Sequence, residues 1–435
     1  MSLPPAPVSA GTVLVLGGNG FIAGHVIAAL RGDGWRVLRG VRDPGRPLHD
    51  DERVCDFTAM NAPAHWRDAL AGVDTVVNAA GILRETGRQT FEAIHVDAPL
   101  ALARACVDAG VRRFVQVSSV GDPADGAFVA SKHRFDAALL ALPLASVVLR
   151  PALVYSPAGS YGGTSLLRAL AALPFGVMVP GDGLWPQQPV AAEDLGRLVA
   201  RAVAGEACGI FDVGGPQRLS LRDYLLAWRR WLRLPGTRVW RVPAGLVGLG
   251  VALGETVGSG PIGGTTWRML RRGVVAGDDA LPRLRDAFGF APRPLDAVLA
   301  AHPAQVQDRW HARLYPVAPL LKAGVVALWL LSAWAGFATP AADIARLAAG
   351  SPLADAAPVA LARGGAGLDL VLGLWLASGW RPRACLALML ASVLAYTLAF
   401  GLLLPGQWLD PLGGLAKNLV VLPALAALWV LSDRR

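Results

Sequence analysis

The sequence predicts an α/β doubly wound parallel sheet with a small second lobe, followed by an all-α bundle of about four transmembrane helices. Three observations predict it: short apolar runs alternating with amphipathic stretches from Thr12 to about Leu149, a Gly-, Pro- and Trp-rich segment from about Pro151 to Gln307, and long, nearly uncharged runs from Val317 onward. With 435 residues, 54% of them hydrophobic, and a mean hydropathy of +0.43, the chain is too long for one compact core and too apolar to lie wholly in water. These shifts divide it into a tail (1–11), an α/β domain (12–308) whose second lobe begins at about 151, and a membrane domain (309–435).

VLVLG, WRVLRGV, DTVVNAAG, RRFVQVSS and ASVVLRP read as strands, with amphipathic helical stretches between them, as in βαβ units around a parallel sheet. The N-terminus has no basic region before its first strand, so a signal peptide is not expected and the first domain is expected in the cytoplasm.

The net charge is +9, but no basic run with interleaved aromatics is present, so nucleic acid is not expected as a partner. The charge is expected against anionic lipid and at helix ends. Only Lys132, Lys322 and Lys417 are lysines. Cys55, Cys106, Cys208 and Cys385 are far apart and read as buried free thiols, and the histidines show no paired spacing, so no metal is expected.

Candidate spans are Val317–Phe337, Gly364–Trp380, Ala384–Leu404 and Leu415–Leu431, each near the roughly 20 residues a crossing needs. Arg309 and Arg313 precede the first, Arg381 and Arg383 join the second to the third, and Arg434 and Arg435 close the chain. With four spans these clusters share one side, which the positive-inside tendency makes cytoplasmic. Lys322 then snorkels at the cytoplasmic end, while Asp369 and Lys417 are expected to pair in the outer half, near Asp410.

In VLVLGGNGFIAGHVIAAL, Gly17 and Gly20 sit between a strand and a helix that opens with Phe21 and Ile22. Such a turn lets the backbone approach a pyrophosphate whose charge the helix N-terminus meets. At the end of the second strand, Arg42 stands where a carboxylate usually meets a free ribose 2′-hydroxyl. A guanidinium there suits a 2′-phosphate, which favours NADP over NAD. The competing reading has Asp43 taking the ribose of NAD, with Arg42 solvated.

The order of motifs over about residues 12–300 resembles the extended and atypical short-chain dehydrogenase/reductase superfamily, which has a Rossmann fold. The resemblance is strongest to the branch similar to the accessory NAD(P)-binding subunit of respiratory complex I. The motifs are GGNGFIAG with Ala23 in the third glycine slot, NAAG at Asn78–Gly81, SSV from Ser118, RPALVYSP from Arg150, PGDG at Pro180–Gly183 and QPVAAEDLG from Gln188. The resemblance implies that Asp56 meets the adenine amino group and that Ala79, Ala80 and Gly81 line the cofactor.

It also implies a Tyr-x-x-x-Lys pair on one helix with a serine on the preceding strand. Here the segment reads Phe128-Val129-Ala130-Ser131-Lys132, with Ser118 or Ser119 upstream. The lysine that holds the nicotinamide ribose is present, and the phenol that passes the proton is absent. Tyr155 and Ser118 are the candidate substitutes, and His95 falls where the family has an asparagine that supports the helix.

WLLSAWAGF, GLDLVLGLWLA and WLDPLGGLAKNL resemble the DoxX-like family of four-helix membrane proteins. Together these readings predict a protein of the inner membrane with its Rossmann domain in the cytoplasm. It would be an NADP-dependent oxidoreductase acting on a lipophilic substrate such as a quinone, isoprenoid or lipid intermediate. The alternatives are a non-catalytic dinucleotide-binding module that stabilises or regulates a membrane complex, and a nucleotide-sugar epimerase or dehydratase.

Overall fold

The computed structural model describes residues 11–42, 45–256, 263–409 and 414–433. Asp43, Asp410, Arg434 and Arg435 lie outside them. The chain divides into two compact units, Met1–Ala312 and Arg313–Arg435.

In the first unit, β1 (Thr12–Leu16), α1 (Phe21–Gly32), β2 (Arg36–Val41), β3 (Glu52–Val54), α2 (Arg67–Leu70), β4 (Thr75–Asn78), α3 (Ala98–Asp108), β5 (Arg113–Val117), α4 (Ala127–Leu140) and β6 (Ser146–Pro151) follow in order; β1, β2, β4, β5 and β6 are the five expected strands, and β3 is an added one after β2. Beyond β6 come β7 (Leu153–Tyr155), α5 (Gly163–Ala171), β8 (Val177–Pro180), β9 (Pro186–Gln187), β10 (Pro189–Ala191), α6 (Ala192–Ala204), β11 (Gly209–Val213), β12 (Leu219–Ser220), α7 (Leu221–Trp231), β13 (Val239–Val242), α8 (Ala244–Thr256), α9 (Gly264–Arg272), α10 (Ala280–Phe288) and α11 (Leu295–Ala301), of which α6, β11 and α10 rejoin the first sheet and its core.

Seven strands form one sheet in the order β11-β6-β5-β4-β1-β2-β3, all pairs parallel. Both faces are covered, so the central strands read as unbroken apolar runs. On one face Val26 and Leu30 of α1 and Leu195, Leu198 and Val199 of α6 pack on Val13 and Val15. On the other, Leu102 and Cys106 of α3 and Phe135 and Leu139 of α4 pack on Leu14, Val76 and Phe114. Strand order reverses between β1 and β4, which places the ligand crevice at their carboxyl ends. The cysteines are all free; Cys55, Cys106 and Cys385 are buried, but Cys208 is exposed, because it lies in the connection that leads into β11.

In the second unit, α12 (Val306–Ala338) begins within the first, and α13 (Ala341–Ala348), α14 (Pro358–Ser378), α15 (Pro382–Leu403) and α16 (Asn418–Leu431) follow. Among the described residues α12, α14 and α15 are long and apolar enough to cross a membrane. The fourth expected span is shorter than predicted: 414–417 form a turn, and α16 holds 14 residues. It still returns along α15, from an Asn418–Thr397 hydrogen bond (2.8 Å) to an Arg383–Asp433 ion pair (3.0 Å), with Arg383 over the Trp429 ring. The pairing expected between Asp369 and Lys417 is not formed. Asp369 accepts a hydrogen bond from Ser332 Oγ (2.6 Å), and Lys417 is exposed just before α16.

Candidate dinucleotide site

Gly17 leaves β1 at φ +71°, and a Cβ there would lie 3.0 Å from the Ala80 Cα. Only glycine combines that dihedral with so close a neighbour. Gly20 N–H donates to the Gly17 carbonyl (2.7 Å), and Phe21 and Ile22 then open α1 without a side-chain cap. The uncapped N–H groups lie at the switch point of the sheet, where a helix N-terminus suits an anion. Across the crevice Asn78 shapes the facing loop: its Oδ1 accepts from Ala80 N–H (3.1 Å) and its Nδ2 donates to Gln116 (2.9 Å). That fixes Ala79, Ala80 and Gly81 beside Gly17.

At the end of β2, Arg42 is exposed, with no ion-pair partner among the described residues. Its neighbours are committed elsewhere. Arg39 pairs with Asp51 and Glu52 (2.9 and 3.1 Å), and Arg46 with Glu52 (2.9 Å). Hydrogen bonds from Arg46 and from the His49 backbone hold the Glu52 carboxyl down at about 2. Asp56 follows β3; its Oδ1 accepts from the Thr58 N–H and hydroxyl (2.8 Å each), leaving Oδ2 available.

Phe128 and Lys132 lie one turn apart on α4, both buried. Lys132 Nζ donates to the Val117 carbonyl (3.2 Å). A Cβ at Gly81 would sit 3.2 Å from that nitrogen, so the glycine leaves the ammonium room against the cofactor loop. Burial pushes the Lys132 pKa down to about 8, against the opposing pull of Asp136.

Sequence reasoning missed what holds this group. Asp136 is fully buried one further turn along; its Oδ2 accepts from Ser118 Oγ (2.8 Å) and Arg150 Nε (2.9 Å), while its Oδ1 has no partner among the described residues. Ser118 is therefore turned toward Asp136. His95 stands in the asparagine slot as a brace: Ile82 N–H donates to its Nε2 (3.1 Å), and its Nδ1–H donates to Ser131 Oγ (2.9 Å). Ser131 in turn donates to the Phe128 carbonyl (3.0 Å). Burial, reinforced by the nearby Lys132 charge, keeps the imidazole neutral, with its pKa at about 2.

Tyr155, expected as a substitute acid, is not brought to this group. It is fully buried in the second-lobe core, edge-on to Trp228, and its hydroxyl has no partner among the described residues. Burial raises its pKa, which opposes proton donation.

The fold and this crevice define an NAD(P)-binding Rossmann domain joined to a membrane helical domain. Residues 17–158 match the NAD(P)H-binding family and residues 326–429 match the DoxX-like family. Ceramide reductase of Caulobacter vibrioides is 32% identical over 151 residues, covering 34% of this chain and 47% of that protein. The chain spans about half the length of the curated relatives it matches. Among solved structures, the UDP-N-acetylglucosamine 4-epimerase from Bacillus cereus aligns with a TM-score of 0.51 at 15% identity, covering 67% of this chain and 96% of that one. The Bordetella bronchiseptica enzyme WbmH, solved in complex with NAD+, aligns with a TM-score of 0.51 at 16% identity, covering 70% and 99%. These structural likenesses carry the fold and not the substrate.

Proposed function

We propose that the chain is a membrane-anchored, NADP-preferring oxidoreductase acting on a lipophilic substrate presented from the bilayer. The observation that carries this reading is Lys132. A buried ammonium costs stability, and this chain, otherwise basic through arginine, places one of its three lysines against the loop expected to line a cofactor. The likeness to a ceramide reductase supports a substrate with long hydrocarbon chains.

The residues fit the dinucleotide. The Gly17–Gly20 turn with Phe21 and Ile22 would hold the pyrophosphate, Arg42 the 2′-phosphate, Asp56 the adenine amino group, Ala79–Gly81 the nicotinamide side and Lys132 the ribose. A bound nicotinamide supplies or accepts a hydride. Since Phe128 has no proton to give and Ser118 and Tyr155 are engaged or walled off, we assign the proton to Lys132 Nζ. An ammonium with a pKa near 8 is suited to that task at neutral pH, and Asp136 positions it electrostatically.

The inner-membrane and cytoplasmic assignments rest on Arg309 and Arg313 before the spans, on Arg381 and Arg383, and on the return of α16 to Arg383. A cysteine at Gly350 should then react with an impermeant reagent from outside the cell. Protection would sink this orientation. Gly413, in the connection expected to share that side, lies outside the described residues.

A non-catalytic module is the second reading. It is favoured by Phe128, which packs edge-on against Phe91 and His95 as an ordinary core residue would. Mass spectrometry of protein purified in mild detergent separates the two. Nucleotide together with one prenyl or long-chain lipid enriched over the bulk membrane lipids supports the enzyme, and nucleotide with bulk lipid only supports the module.

A further inference from the structure

Outside the crevice, α8 and the β8–β13 ribbon that precedes it expose apolar side chains that the dinucleotide site does not explain. The α8 sequence, AGLVGLGVALGET, is apolar until its last two residues. Positions 244, 247, 248, 251 and 254 are half-buried, whereas 245, 246, 249, 250 and 252 are exposed. At 100° per residue these sets are the inner and outer faces of one helix. Gly248 on the inner face approaches Trp267 of α9. On the outer face Leu246 and Leu249 are 62% and 58% exposed, and side chains at Gly245 and Gly250 would meet nothing within 4 Å.

Among the described side chains the exposed stripe of this helix carries no polar group, which water does not favour; Glu255, exposed near the helix end, lies off the stripe and accepts from the Gly264 N–H. The element before it in the chain also exposes large apolar side chains. β13 runs into α8 through Pro243 and pairs with β8, setting Trp240 beside Met178. Phe175 is 79% exposed next to them, its carbonyl accepting from Trp240 Nε1 (2.8 Å). Arg238 stacks over the Trp240 ring at 4.1 Å, and Arg241 is exposed on the same strand.

We propose that the outer face of α8 and the Phe175–Met178–Trp240 edge dock on the surface of a lipid bilayer. An apolar stripe rimmed by tryptophan and arginine is the composition that partitions into the interface, with the aromatics at headgroup level and the guanidinium groups on anionic lipid. The chain's own apolar helices keep a bilayer within reach. An acidic protein seated on the same face would give iodide protection without doxyl quenching. The proposal rests on the membrane-anchored reading and adds to it a second, peripheral contact on the substrate lobe.

The test uses the full chain with Cys208→Ser, the three buried cysteines retained, reconstituted in phosphatidylcholine–phosphatidylglycerol vesicles. A bimane label is placed on Leu246→Cys or Leu249→Cys and quenched either by lipids carrying a doxyl group high on the acyl chain or by aqueous iodide. Label on the native Cys208, exposed just before β11 of the main sheet, is the aqueous reference, and label on Leu388→Cys, exposed on α15, marks a span. The expected result is strong doxyl quenching and iodide protection at 246 and 249, with the reverse at 208. The doxyl quenching at 246 should weaken in Arg238→Ala/Arg241→Ala protein on the same vesicles. Doxyl quenching at 246 and 249 no greater than at 208 overturns the docking. If 388 is also unquenched, it is the membrane reading that fails.

Discussion

Lys132 Nζ lies 6.0 Å from the centroid of the Phe128 ring, one turn away on α4, with no hydroxyl between them. This is the relationship of a lysine to the phenol it would activate, with the phenol oxygen removed. Phe128→Tyr should put a hydroxyl near the ammonium, which favours the phenolate. Carbonyl reduction should rise by up to about 10²-fold with cofactor affinity unchanged. A folded, cofactor-binding variant with no gain counts for the non-catalytic module if the natural protein shows no turnover, and for Lys132 as the acid already in place if it does.

If Lys132 gives the proton, turnover should fall as pH rises through about 8, where the ammonium is lost. The group acts as an acid, so the protonated form is the active one and the limb descends on the alkaline side. Lys132→Arg keeps a cation that does not titrate in this range and should flatten that limb. A limb that persists unchanged in the variant would assign the acid elsewhere.

Arg42→Ala should lower the ratio of NADP to NAD affinity at least about tenfold, equivalent to about 1.4 kcal/mol. Arg42 is the exposed arginine at this strand end, while Arg39 and Arg46 are held by Asp51 and Glu52. Equilibrium titration with each dinucleotide reads the ratio directly, and an unchanged ratio would remove Arg42 from the site.

His95 gives the fold a defined acid sensitivity. Its folded pKa, about 2, lies far below its ordinary 6.5, so the unfolded chain takes up a proton that the folded chain refuses. The neutral ring's contribution is complete above pH 6.5 and is lost as pH falls below it, by up to about 1.4 kcal/mol per pH unit. His95→Asn, which keeps an acceptor and a donor but cannot titrate, should melt with a shallower pH dependence in that range. Parallel melting curves would contradict the assigned neutral state.

The five strands β1, β2, β4, β5 and β6 were legible because each is an apolar run bounded by turn residues. β11 was not: Gly209–Val213 is half-exposed in places and its strand character comes from pairing with β6, about 60 residues earlier. Apolarity marked where helices could enter a membrane, not where they start, so α12 begins at Val306 among polar residues that only helix continuation explains. At the site, Gly17, Gly20 and Lys132 were readable because glycine geometry and a spacing of four are local. The engagement of Ser118 by Asp136, and the enclosure of Tyr155 by Trp228, depend on packing across the fold that no spacing encodes. Asp136 alone left a trace, standing four residues beyond Lys132 on the same helix face.

The most direct test follows a label from reduced nicotinamide into lipid. Full-length protein in mild detergent is incubated with NADPH carrying deuterium at the transferable position and an extract of bacterial membrane lipids, and the lipids are then analysed by mass spectrometry. The account predicts deuterium in a long-chain lipid, more from NADPH than from NADH, and none with Lys132→Met. Saturable NADPH binding with no deuterium in any lipid would contradict it and leave a dinucleotide-binding module anchored to the membrane.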